Sequence, residues 1–92
     1  MAREDLQELY QQLLKSGFDF VPRGSQHIET IYNEVKLRFG DLCDDDYLCA
    51  ENCSGGHYQP EWKQAVRRAL DRLKRISLSV SLDTKHGYWA FR

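Results

Sequence analysis

Ninety-two residues, 41% hydrophobic, 29% charged and 12% aromatic, suffice for one small globular domain. A chain this short buries only about 60–65% of its unfolded surface, so its core must be well patterned or stapled. The composition excludes a disordered or collagen-like chain, and no apolar run approaches the roughly 18 residues of a membrane span. Met1–Asp5 has no basic block followed by an apolar one, so no secretory leader is expected. Three cysteines cannot close a disulfide framework and fit a reducing, cytoplasmic compartment. The net charge of −1 hides an asymmetry: residues 1–59 hold five Lys/Arg against eleven Asp/Glu, and residues 60–92 hold eight against three. The second part can present a positive field to a polyanion and the first repels one.

Leu6, Leu9, Tyr10, Leu13 and Leu14 recur at helical spacing, which predicts a helix over 3–15 with Gly17 as its stop. Phe18–Val21 alternates like a short extended piece, broken by Pro22 and Gly24. Residues 21–25 have the make-up of a protease-cleavage linker and are taken as native. A second helix is predicted over 26–39, with Ile28, Ile31, Tyr32, Val35 and Phe39 as its stripe, Ser25 as N-cap and Gly40 after its end. Residues 41–59 are acidic and cysteine-bearing, with Asp44 able to cap one short helical turn through Cys49.

The clearest signal lies at 60–76. Pro60 suits the first helical position, and Trp62, Ala65, Val66, Ala69, Leu70, Leu73 and Ile76 keep the helical period over four turns. Leu78, Val80 and Leu82 then alternate with serines as a strand. Asp83–Gly87 supplies a turn, and Tyr88–Phe91 returns as the second strand of a hairpin.

This order resembles a winged helix-turn-helix, an α+β fold with a three-helix core and a C-terminal β-hairpin wing, here with an extra N-terminal helix. Residues 26–39 would be the first core helix, 44–49 the short second, 60–75 the recognition helix and 77–91 the wing. The division would be 1–25 as amphipathic helix and connector, and 26–92 as winged-helix domain with a cysteine-bearing insertion at 43–57. The basic Trp62-x-x-x-Val66-Arg67-x-x-Leu70-x-x-Leu73 helix, running into a hairpin with Gly87-Tyr88-Trp89, is similar to the modules attached to modification-dependent and to Mrr-like or HNH-type restriction endonucleases. The resemblance implies a specificity module in restriction-modification or regulation. It carries no nuclease segment, so no catalysis is inherited.

The polar face of 60–75 gives the reading its chemistry. Lys63 and Arg67, Gln64 and Arg68, and Arg68 and Arg72 stand four apart and stack on one surface. In a major groove Gln64 can pair with adenine, and Arg67 or Arg68 with guanine, while Arg72, Lys74 and Arg75 lie nearer phosphate. At the wing tip Lys85 and His86 can touch the backbone of double-stranded DNA. The bland alternative is a solvated helix face, weakened because one acid accompanies six Lys/Arg between Lys63 and Arg75.

Cys43, Cys49, Cys53 and His57 are ligand types that zinc prefers, in an irregular spacing that lacks a paired C-x2-C. The alternative is buried thiols beneath the recognition helix. Asp44–Asp46 reads as an acidic helix start, because adjacent carboxylates point apart and do not converge on one ion. No phosphate cradle, nucleophile elbow or activated thiol is present, so the chain reads as non-enzymatic. Trp62 reads as core, and Tyr88 and Trp89 must face opposite sides of their strand. The competing function is a winged-helix protein-interaction module, zinc-stapled or not, with a homodimer formed through the Leu stripe of 3–15.

Overall fold

The structure, a computed structural model, describes residues 3–43, 45, 60–77 and 79–92. Among the described residues three α-helices, one 3₁₀ turn and a small three-stranded antiparallel sheet make an α+β fold. The first helix, α1 (Arg3–Ser16), turns Leu9 and Leu13 inward, four residues apart and with no exposure. These two leucines belong to the same core as the inner stripe of the third helix. Leu6, Tyr10 and Leu14 pack part-buried against it. Two residues of the stripe read from sequence as a dimerisation seam, Leu9 and Leu13, are therefore spent inside the molecule, and the helix forms a wall of the core.

Residues 17–21 depart from the extended piece expected there. Gly17 and Phe18 both take positive φ (+62° and +59°), so the chain reverses in a tight turn. Gly17 N–H donates to the Leu13 carbonyl at 3.0 Å, and Ser16 Oγ accepts from Phe18 N–H at 3.3 Å. A left-handed phenylalanine costs about 1–2 kcal/mol. Burying its ring, 2% exposed beside Phe20 and Phe91, offsets that cost. The apolar pair that goes inward is Phe18 and Val21, a turn spacing and not an alternation.

The strand β1 (Gly24–His27) was not expected. It pairs antiparallel with the last strand, Ser25 opposite Ala90 and His27 opposite Tyr88. Residues 24 and 25 are thus structural, and Ser25 Oγ donates to the Asp83 carboxylate across the sheet. The second helix, α2 (Ile28–Arg38), starts two residues later than predicted. Its N-cap is His27 in place of Ser25, with Nδ1 accepting from Glu29 N–H at 3.1 Å. Ile31, Tyr32 and Val35 face inward. Gly40 opens a 3₁₀ turn (Gly40–Leu42) where a helix stop was expected. The predicted helical turn at 44–49 lies outside the described residues, apart from Asp45.

The third helix, α3 (Glu61–Ile76), buries Trp62, Ala65, Val66, Ala69, Leu70 and Leu73. Pro60 is its N-cap, one position earlier than predicted, and Ile76 leaves the stripe, 62% exposed. The strands β2 (Val80–Leu82) and β3 (Tyr88–Phe91) form the hairpin, giving sheet order β1-β3-β2. Gly87, at φ +82°, closes the connecting turn, and Asp83 Oδ1 accepts from Lys85 N–H. Within β3 the faces divide as the period requires. Trp89 and Phe91 join the core side, and Tyr88 meets His27 edge-to-face with ring centres 5.0 Å apart. No helix among the described residues is long and apolar enough to cross a membrane.

If α1 is a wall of the core, Leu13→Ala should lower unfolding free energy in urea by about 2–5 kcal/mol. A loss under about 0.5 kcal/mol, the size of a surface change, would place the helix outside the cooperative unit.

Candidate nucleic-acid interface

Burial of one face of α3 fixes the direction of the other. Going round the helix at 100° per residue, Gln64, Arg68, Asp71 and Arg75 form the outward crest. Lys63 and Arg67 lie on the flank that meets α2. Arg68 and Arg72 are exposed, and among the described residues neither forms an ion pair. Arg75 and Lys74 share Asp71, at 3.1 Å and 3.3 Å. Such exposed i,i+3 and i,i+4 pairs contribute only about 0.2–0.5 kcal/mol and are screened by salt. The Arg75 side chain stays 70% exposed, so a polyanion could displace the carboxylate.

The flank is built differently. Tyr32 and Trp62 meet edge-to-face at 5.7 Å, joining α2 to the first turn of α3. Arg67 donates from its guanidinium to Tyr32 Oη at 2.9 Å. Lys63 Nζ sits 5.1 Å from the centre of the Tyr32 ring and 5.7 Å from that of Trp62. Lys36 Nζ stands 6.0 Å from the Trp62 ring and pairs with Asp45. Asp45 also accepts from Trp62 Nε1 at 2.9 Å. Burial pushes the Tyr32 phenol above its ordinary range, and the Arg67 charge pulls partly the other way.

The structure thus brings Lys63 and Arg67 together on one aromatic platform. It leaves Arg68 and Arg72 in solvent, and puts Lys85 and His86 apart on the exposed β2–β3 turn. Lys85 Nζ lies 4.5 Å over the Tyr88 ring. Gln64 is half-buried on α3. Tyr32, Lys36 and Asp45 belong to this region, and the sequence reading did not single them out for it. Tyr32 was read as core, which its ring is. The usable signal was the four-residue step from Tyr32 to Lys36 on α2.

Of the candidate zinc ligands, Cys43 is buried at 7% exposure within the core, and burial pushes its thiol up to about 11, with Lys36 pulling the other way. A thiol held protonated in this way packs as a small hydrophobe. Cys49, Cys53 and His57 lie outside the described residues. Among the described residues no group of three His, Cys, Asp or Glu side chains could hold a metal ion. Comparison with family models, with curated proteins and with solved structures finds no match.

Tyr32→Phe removes the acceptor of Arg67 and should cost about 0.5–1.5 kcal/mol of stability in urea. In an ultraviolet titration, the phenol of the folded protein that ionises late should be missing from the variant. The sign follows from the raised value. The protonated phenol supports the fold through neutral pH, and that support is lost as alkaline pH ionises it. An identical phenol titration in the two proteins would contradict the placement.

Proposed function

We propose that this chain is a double-stranded DNA-binding module of winged helix-turn-helix type. In it α3 enters the major groove and the Asp83–Gly87 turn lies against the backbone. One observation carries the reading: the whole inner face of α3 is buried while Arg68, Arg72 and Arg75 stand exposed on the outer one. A helix read by a groove needs both properties, since the buried face fixes where the donors point. The hairpin that follows α3 presents Lys85 and His86 at its tip, in the place of a wing. In this reading α1, α2 and α3 are the three core helices, and α1 takes a core position that the sequence pattern assigned to later residues.

The role is recognition without chemistry, as a specificity part of a nuclease or a regulator. The rival reading, a protein-interaction module, rests on the acidic residues of the first part of the chain and on the leucine stripe of α1. That stripe is occupied by the core.

A fluorescence titration with random duplex at several salt concentrations tests the proposal. If five or six phosphates are neutralised, log K should fall with log salt at a slope of about −4 to −6. Replacing both Arg68 and Arg72 with Glu should abolish binding with the circular dichroism spectrum unchanged. Binding that ignores salt, or that survives the double reversal, would defeat the reading.

A further inference from the structure

We infer that Lys63, Arg67 and the Tyr32 hydroxyl form a fixed phosphate subsite on the flank of α3, distinct from the crest that would read bases. It rests on the DNA-binding reading for the carrier of the phosphate, a backbone phosphodiester. The geometry of the subsite stands on its own.

Rigidity comes first. Tyr32 and Trp62 are 4% and 2% exposed and lock edge-to-face, so the platform beneath the cations cannot shift without opening the core. Lys63 Nζ lies over both rings, and Arg67 donates from its guanidinium to Tyr32 Oη, which holds that side chain against α2. The phenol accepts that bond and keeps its own proton to donate, because burial disfavours its anion.

Charge comes second. Asp45 is engaged by Lys36 and by the Trp62 N–H. Glu29, one turn before Tyr32 on α2, acts on the phenol. Among the described residues no carboxylate pairs with Lys63. A flat guanidinium fork beside a point-charge ammonium and a hydroxyl donor suits a group with several anionic oxygens, which is phosphate.

Position comes third. Arg67 lies about 100° round from Arg68, away from the crest and towards α2. With α3 in a groove, the crest meets base edges and the flanks meet the phosphate strands that wall it. Arg67 is thereby moved from the base-reading set to the backbone-holding set, and Arg68 becomes the guanine reader.

The test uses the full chain and inorganic phosphate, with nuclear magnetic resonance reading the Arg67 side-chain Nε–Hε. Phosphate should give a saturable shift within about 50 mM, the weak range expected of a few hydrogen bonds. Chloride at equal ionic strength should not. Lys63→Gln and Arg67→Gln should abolish uptake, the latter read at the α3 amides. Tyr32→Phe, nearly isosteric, should weaken it several-fold. No saturable shift, or one unaffected by all three variants, overturns the subsite. With duplex DNA, Arg67→Gln should lower affinity about tenfold, equally on two unrelated sequences, and make the salt slope shallower by about one. A loss confined to one sequence overturns the assignment of Arg67. Phosphate uptake without any duplex binding upholds the subsite for free phosphate and removes only the DNA-binding reading.

Discussion

The contact between the leucines of α1 and the inner stripe of α3 is the constraint from which the remaining geometry follows. Leu9 and Leu13 meet a surface whose largest member is Trp62 and whose alanines, Ala65 and Ala69, keep it low. Small side chains in the stripe let another element approach closely, and large ones at its ends fill the space beside it. Full burial of a leucine is worth about 1.5–3 kcal/mol, so this seam supplies a large share of a small domain's stability. Because α3 is held along its whole inner face, its outer face has one orientation in space.

A second contact carries that order across to α2. The Tyr32–Trp62 pair is apolar at its centre and polar at its rim. The rings bury, while the phenol oxygen and the indole N–H reach partners at the edge, Arg67 and Asp45. Cations gathered on such a rim lose little further freedom when they bind an anion. Arg68, on the crest, and Arg72, on the flank away from α2, are exposed, so they pay more entropy and keep more adaptability. Fixed and freely turning cations are thus separated on one helix.

What the sequence revealed depended on how strongly each element is patterned. α3 was legible because its stripe runs through four turns, and the hairpin because an alternating strand, turn residues and an aromatic-rich return follow one another. The helical nature of α1 was legible, but its destination was not. A leucine stripe looks the same whether it meets another copy or its own core. β1 was hidden because Gly24, Ser25, Gln26 and His27 carry no apolar alternation; β3 makes them a strand by offering an unpaired edge. The reversal at Phe18 was hidden because a left-handed aromatic runs against its own preference and is sustained by tertiary burial. Within the interface the crest could be drawn from spacing alone. The flank could not, since Tyr32 joins it through contacts thirty to thirty-five residues away, with Trp62, Lys63 and Arg67.

The sheet order has a bearing on how the molecule is made. β3 is the middle strand, yet it is the last of the three to leave the ribosome. Until residues 88–91 emerge, β1 and β2 have no ladder to join, and Phe91 cannot reach Phe18 to secure the reversal after α1. The seam between α1 and α3 itself closes across roughly fifty positions, and the sheet closes across some sixty, so neither forms on local contacts alone. The central strand thus closes the fold, because both its neighbours and the Phe18 reversal depend on residues 88–91.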